Sequence, residues 1–286
     1  MPKKIKKSNE DIKKEIKKEI NIVKKKSIKF ETVFTATDIN YLHYLPNFVK
    51  SWNLVFPEII LKVAFIGKEI NFPIKYIFYK KYLIFIEPIH GFDTAYLAQN
   101  IRLYYPALLN STGVLITDID SYPMNRDYYL NVSRYSEYDQ FISYRPQWVV
   151  GDDQLAMNYI LASSETWGKV FKVNNIQDVI NKLILHYPLN YGQQSKELIW
   201  LKEGWFTDQQ LLYNYAKEYD KLVIMDDNIT NFNRIDKINM TVAKAKSLTV
   251  DIKKGKFCDY MSCRPDQPDY EEINNIIINS LIKDTI

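Results

Sequence analysis

The sequence predicts an α/β fold on a mostly parallel central sheet. Two observations carry that reading. From residue 30 onward, short continuous apolar runs alternate with amphipathic stretches of helical period, the pattern of strands covered on both faces by helices. Two of the apolar runs also end directly in aspartate-bearing turns, "TATD" and "TDID". In such sheets ligands bind outside the carboxyl ends of the strands, so both turns are expected on one sheet edge.

The elements follow in order. Residues 8–25 read as a solvated helix. Ser8 and Asp11 resemble a capping box, and Ile12, Ile16, Ile20 and Val23 form one narrow apolar stripe. "FETVFTAT" reads as a strand. "YLPNFVKSW" reads as a helix that tolerates Pro46 in its first turn and gathers Leu45, Phe48, Val49 and Trp52 on one face. "IILKVAFIG" and "YLIFIEPI" are strands. "TAYLAQNIRLYYPALL" is a helix presenting Leu97, Ile101, Tyr104 and Leu108, with Gly113 as its stop signal. "GVLITDID", "FISYR", "LAMNYILA" and "KLVIM" read as further strands. "SSETWGKVF" opens a helix capped by Ser163 or Ser164, "FTDQQLLYNYAKEY" begins one near Thr207 or Asp208, and "DYEEINNIIINSLI" closes the chain as an amphipathic helix.

Composition bounds the function. Residues 1–29 hold 12 Lys against 4 acids, a balance of +8 within a total of +4, which leaves the rest of the chain at −4. A mildly acidic body argues against nucleic acid as a partner. Eight glycines leave little for Gly-rich phosphate loops, and Cys258 and Cys263 alone make neither a zinc site nor a disulfide framework. No apolar run approaches the roughly 18 residues of a membrane span, and the Lys-rich start lacks a signal-peptide core. The expected location is the cytoplasm, or the host cytoplasm for a viral chain. The division expected is a Lys-rich helical extension over residues 1–28 and one domain over 29–286. The apolar stripe of residues 8–25 is a candidate for peripheral membrane attachment or self-association.

"GVLITDIDSYPMN" holds the chemistry of most interest. On an extended backbone residues i and i+2 face the same way, so Asp118 and Asp120 are expected to converge with Ile119 turned away. Converging carboxylates repel, more so when buried, and a divalent cation would relieve the repulsion. A solvated aspartate pair where a strand stops, or a helix cap, is the plainer reading of the same triplet.

Four segments, in order, resemble the GT-A glycosyltransferases, most closely the retaining glycogenin and bacterial galactosyltransferase type. "VFTATDINYLHYLPNFVKSW" resembles that family's first strand and helix, where an A-x-D-x-N-Y run holds the nucleotide. "TAYLAQNIRLYYPALL" resembles the helix with an Arg-Leu before the metal motif, and "GVLITDID" the strand and its DxD motif. "MNYILA…W…TDQQLLYN" resembles the later Asn-containing strand, a Trp and an Asp-Gln helix start. The likeness spans about residues 31–218. It departs at the C-terminal end, where family members often carry a metal-ligating His. The chain's histidines are His43, His90 and His186, and the corresponding region is "GKFCDYMSCRPDQP", in which Asp259 or a water would take its place.

The resemblance implies a GT-A fold and a metal-dependent glycosyltransferase, with a UDP-sugar favoured as donor and a GDP-sugar next. The acceptor would be a glycan, a protein or a small molecule. Ala36, Thr37, Asp38, Asn40 and Tyr41 would form the nucleotide pocket. Asp118 and Asp120 would hold Mn²⁺ or Mg²⁺, hard cations suited to oxygen ligands, with Asp118 also within reach of the ribose. Arg102, Asp118, Asn158 and Trp205 would contact the donor sugar. Asp208 and Gln209 would face the reacting centre, and their match favours retention over inversion. Two other classes share the layered sheet: a non-catalytic sugar- or nucleotide-binding protein, and a sugar-phosphate nucleotidyltransferase. The latter is disfavoured because "TATDINYLHYL" contains neither Gly nor a basic residue.

Overall fold

The computed structural model describes residues 27–134, 136–145, 153–193 and 203–282. The helix expected over 8–25 therefore lies outside the described residues. Four strands set the frame. β1 (Thr32–Thr37) is buried along its whole length, as a central parallel strand must be. β2 (Ile60–Ile66) and β3 (Leu83–Ile86) extend the sheet on one side, and β4 (Val114–Ile116) pairs with β1 on the other, all parallel. β5 (Ser121–Pro123) leaves this sheet, and β6 (Phe141–Ser143), β7 (Ile160–Ala162) and β8 (Leu222–Ile224) complete it. The resulting order is β3-β2-β1-β4-β7-β6-β8. Only β7 runs against its neighbours, so the α/β class holds with a mixed, mostly parallel sheet. β9 (Arg234–Ile235) and β10 (Asp259–Met261) join β5 in a second sheet, in which β10 is antiparallel to β5 and parallel to β9.

Nine α-helices are described: α1 (Leu45–Val55), α2 (Thr94–Tyr104), α3 (Arg126–Arg134), α4 (Ser164–Phe171), α5 (Ile176–Leu185), α6 (Thr207–Ala216), α7 (Asp227–Thr230), α8 (Val242–Lys253) and α9 (Tyr270–Asn279). Strand alternation divides the core between the two sheet faces. Val33, Leu115, Ile142 and Leu161 pack on the face covered by Leu45, Phe48 and Trp52 of α1. Phe34, Ile116, Phe141 and Ile160 pack on the opposite face, under Leu97 and Ile101 of α2 and Trp167 and Phe171 of α4. Full burial of each such large side chain contributes roughly 1.5–3 kcal/mol.

Three expectations are corrected. The helix from Thr94 ends at Tyr104 and passes into a 3-10 turn, Tyr105–Leu108, because Pro106 has no N–H to continue the ladder. Gly113 is therefore not its stop signal. It lies at the mouth of β4, where a Cβ would come within 2.3 Å of the Lys29 carbonyl oxygen. β4 itself stops at Ile116, so Asp118 and Asp120 sit in a turn closed by the Ser121 N–H on the Asp118 carbonyl (3.2 Å) and not on an extended strand. That turn buries Ile119 in the α1 face of the core.

The topology fixes where a ligand would bind. From β1 the chain moves outward to β2 and β3, then returns to place β4 on β1's other edge. The crevice between the carboxyl ends of β1 and β4 is thus the switch point of the sheet. Because β7 is antiparallel to β4, with Ile160 opposite Ile116, the residues just before β7 arrive at the same edge.

Candidate active site

Two aspartate turns and two helices meet at this switch point. Thr35 of β1 donates its hydroxyl to the Thr117 carbonyl (2.8 Å), tying the two strand ends together. Arg102, two residues from the end of α2, is 6% exposed and reaches the same carbonyl through Nη1 (3.3 Å). The same nitrogen donates to Asp118 Oδ1, Nη2 donates to Asp208 Oδ2 (2.9 Å), and Nε donates to the Gln99 carbonyl (3.1 Å). One guanidinium therefore joins two carboxylates that lie 90 residues apart in sequence. The planar fork of Arg suits this role, since its donors diverge in fixed directions.

Asn158 completes the group from the β7 side. Its Nδ2 donates to Asp118 Oδ2 (2.6 Å) and Ser121 Oγ (3.0 Å), and its Oδ1 accepts from the Asp118 N–H (2.7 Å) and the Thr117 hydroxyl (3.2 Å). Both donors of the amide are thus spent on the protein. Asp208 sits in the first turn of α6, where the helix dipole favours an acid, and its Oδ1 accepts the Gln209 N–H (2.8 Å). The Gln209 Oε1 is buried and has no partner among the described residues. Trp205 is half-buried in the turn ahead of α6 and takes no part in the hydrogen bonds that join Arg102, Asp118, Asn158 and Asp208.

Burial governs the electrostatics. It pushes the Asp208 carboxyl up to about 6, against the pull of Arg102 and with a further push from Asp118. Burial also works against the Arg102 charge, but Asp118 and Asp208 outweigh it and raise the guanidinium's pKa. Of the two carboxylates held by Arg102, the side chain of Asp208 is 4% exposed and that of Asp118 is 31% exposed. Asp118 is the member open to a ligand.

The β1 turn forms the neighbouring wall. Asp38 is 1% exposed. Its Oδ1 accepts the N–H groups of Asn40 (3.0 Å) and Tyr41 (3.2 Å), while its Oδ2 accepts Asn40 Nδ2 (3.0 Å) and the Thr94 hydroxyl (2.8 Å). Four donors fill a carboxylate's capacity, so Asp38 holds the turn and presents its neighbours. Asn40 is exposed and Tyr41 half-buried, whereas Ala36 and Thr37 are buried at the strand end. Burial raises the Tyr41 hydroxyl pKa, Arg264 opposes the rise, and Asp120 and Asp38 add to it. The Tyr41 hydroxyl therefore lies within electrostatic reach of both aspartate turns and of Arg264.

Asp120 points to the second sheet. Its Oδ2 accepts Lys237 Nζ (3.2 Å), and its carbonyl accepts the Ser262 N–H (2.8 Å). A shared two-carboxylate metal site fits these contacts poorly, because a divalent cation there would sit beside two protein cations. The Arg102 guanidinium already bonds Asp118 and the Lys237 ammonium already bonds Asp120. No cluster of three His, Cys, Asp or Glu suited to a metal occurs among the described residues. Asp259, the substitute third ligand, is fully buried in β10, where Arg234 grips both its oxygens and the Tyr159 hydroxyl donates at 2.7 Å. The repulsion expected between the two aspartates is met by protein cations. Lys237 was not anticipated. It is a lone Lys in "RIDKIN", with no motif to mark it, and its partner is 117 residues away.

No family model matches the chain, and no curated protein matches it. Among solved structures the chain is similar to the glycosyltransferase GlyE of Streptococcus pneumoniae TIGR4, at 15% identity and a TM-score of 0.48 over 89% of this chain and 60% of that one. It is also similar to the galactosyltransferase LgtC in complex with donor and acceptor sugar analogues (12%, TM-score 0.46, 87% of this chain and 94% of that one). A third is a glycosyltransferase involved in glycosylation of the major capsid of PBCV-1 (8%, TM-score 0.43, 87% and 99%). The chain spans about three-fifths of the length of GlyE and nearly the whole of the other two. At these identities the likeness is one of architecture.

Proposed function

We propose that the chain is a GT-A glycosyltransferase that transfers a sugar from a nucleotide-sugar donor, with UDP favoured over GDP as the nucleotide, to a glycan, protein or small-molecule acceptor. The observation that carries this reading is the joining of Asp118 and Asp208 by Arg102 at the β1/β4 switch point. Hydroxyl-rich ligands need fixed carboxylate acceptors, and this arrangement supplies one accessible carboxylate and one buried behind it. The β1 turn beside them offers Asn40 and Tyr41 for the nucleoside, with Ala36 and Thr37 behind and Asp38 as the residue that shapes the turn.

In this reading Asp118 accepts a donor-sugar or ribose hydroxyl. Arg102 and Asn158 are positioning residues, because their hydrogen-bonding groups are directed at Asp118, Thr117 and Asp208. Asp208 anchors Arg102 from behind Asp118, and the unpartnered Gln209 Oε1 beside it is an acceptor for a sugar hydroxyl. Trp205, in the turn ahead of α6, offers an apolar surface against which a sugar ring can rest. Retention is the favoured outcome. An inverting base must reach the acceptor hydroxyl, whereas Asp208 is buried with Oδ2 held by Arg102. The departing phosphate then takes the acceptor's proton. The expected Mn²⁺ or Mg²⁺ is given no step in this account, because the carboxylates meant to hold it already face the cations Arg102 and Lys237.

The test is a panel of UDP-, GDP- and dTDP-sugars, with and without Mn²⁺, read by release of the nucleoside diphosphate. The product's anomeric configuration is then read by NMR. Turnover of one donor class with retention is expected. Binding without turnover would favour a non-catalytic sugar-binding protein, and turnover only of a nucleoside triphosphate with a sugar phosphate would make the chain a nucleotidyltransferase.

A further inference from the structure

The second sheet brings two cations to the mouth of the site. β9 and β10 pair in parallel, with Asp259 opposite Arg234 and Tyr260 opposite Ile235, so their carboxyl ends emerge together. Lys237 follows β9 by two residues and Arg264 follows β10 by three. The two line one open cavity of about 510 Å³ with Ile238, Asn239, Asp266 and Gln267. The Ser262 N–H on the Asp120 carbonyl fixes this end of β10 to the aspartate turn. The Lys237 contact with Asp120 Oδ2 (3.2 Å) sets this cavity beside the aspartate turn, and Arg264 acts electrostatically on the Tyr41 hydroxyl.

We infer that Lys237 and Arg264 form an anion cradle for the donor's diphosphate and supply there the positive charge that a divalent cation would otherwise provide. The inference rests on the donor-binding reading in taking the anion to be a diphosphate. Several observations separate Lys237 from an ordinary surface lysine. Its side chain is 18% exposed, and so is that of its partner Asp120. An ammonium has three donors and Asp120 takes one of them, so the carboxylate orients Lys237 while leaving two N–H groups for phosphate oxygens. Lys on a flexible stem is a compact point charge that can follow an anion. Arg264 is exposed, forms no ion pair with a described residue, and lines the same cavity. Asp266 also lines it and opposes anions, so the cradle depends on both cations. Donor cleavage builds negative charge on the leaving diphosphate, and a fixed cation beside it acts where that charge develops. The bond from the anomeric carbon to the diphosphate oxygen breaks, the electron pair stays with the diphosphate, and the acceptor oxygen forms the new bond while its proton passes to the diphosphate.

Titration calorimetry tests this with two probes, inorganic pyrophosphate and UDP, in EDTA at low ionic strength and again with Mn²⁺. Both probes should bind wild type in EDTA, and Mn²⁺ should alter Kd by less than about twofold. Lys237→Ala should weaken both by roughly 10- to 100-fold, the range expected for losing hydrogen bonds to a charged group. Arg264→Ala, at an exposed position, should weaken both with its circular dichroism unchanged. Asp120→Asn separates the models by sign. A cradle keeps or improves its affinity once the competing carboxylate is neutral, whereas a metal site is lost. Pyrophosphate binding that appears only with Mn²⁺, or that Asp120→Asn abolishes, overturns the inference and leaves the glycosyltransferase reading in place. Pyrophosphate binding without metal, coupled with failure of every nucleotide to bind, leaves the cradle in place and overturns that reading. Failure of both probes under both conditions overturns the cradle.

Discussion

Arg102→Met removes the one group that joins both site carboxylates, and its cost can be worked from the contacts. The guanidinium bonds Asp118, Asp208 and the Thr117 and Gln99 carbonyls. Met fills much of the same volume but leaves Asp208 buried with only the Gln209 N–H as a partner. Breaking a buried pair from one side costs about 3–5 kcal/mol. For a chain of this size that corresponds to a fall in Tm of roughly 6–20 °C. The loss should depend on pH, with a definite sign. Asp208 titrates near 6 in the folded protein against 3.8 for an ordinary Asp. A raised folded pKa means that the native state holds the proton more tightly, so this group costs stability as pH rises from about 4 through 6. Without Arg102 the pull that limits the rise is gone, so the window shifts upward. The variant should therefore be markedly weaker than wild type at pH 7.5 and much closer to it at pH 5. Adding Asp208→Asn should recover most of the loss at pH 7.5, because a neutral amide needs no counter-charge. Thermal unfolding followed by circular dichroism at the two pH values measures all of this. A loss below about 1 kcal/mol at pH 7.5, or a double variant no more stable than the single one, would refute the assignment of Arg102 as the buried counter-charge.

Three other outcomes are expected. Donor turnover should rise with pH through about 6 as Asp208 ionises, and Asp208→Asn should retain residual turnover while losing that limb of the profile; an unchanged limb would assign it to another group. Gly113→Ala places a methyl within 2.3 Å of the Lys29 carbonyl oxygen and should cost about 1–3 kcal/mol as an overpacked contact, measured from the urea midpoint at constant slope. Deletion of residues 1–26 should leave a folded body that binds donor as the full chain does; an insoluble or unfolded truncation would place the Ile12, Ile16, Ile20 and Val23 stripe in the core.

The central sheet was readable because its strands are continuous apolar runs and its helices carry clear stripes. Val33 and Phe34 go to opposite faces as the period of two requires, and Ser163 caps α4 through the Thr166 N–H as its position suggested. The second sheet was not readable. Its strands are two or three residues long, "SYP", "RI" and "DYM", too short to show a period. The pairing of β5 with β10 also joins residues more than a hundred positions apart, such as Tyr122 opposite Tyr260. The site was legible by residue type and less so by direction. Arg102, Asp118, Asn158 and Asp208 do meet, yet Asn158 and Asp38 turn their polar atoms to the protein. Spacing shows that a carboxylate stands at a strand end; it does not show how many donors the fold will aim at it.

The two ion pairs at the aspartate turn divide the work by residue chemistry. Arg102 is 7% exposed at its side chain and committed to four acceptors. Burying it is tolerable because a guanidinium is weakly hydrated and its fork satisfies several oxygens at once. Lys in its place would reach one carboxylate and leave the other uncompensated in the interior, so Arg102→Lys is not a conservative change. Lys237 has the opposite properties. Its ammonium meets Asp120 through one 3.2 Å contact at the edge of an open cavity. A strongly hydrated charge there loses little by exchanging water for a phosphate oxygen and returning. The buried pair fixes where the carboxylates stand. The accessible pair keeps a cation beside an anion-sized opening without neutralising it fully, which is the condition for binding a diphosphate and releasing it after transfer.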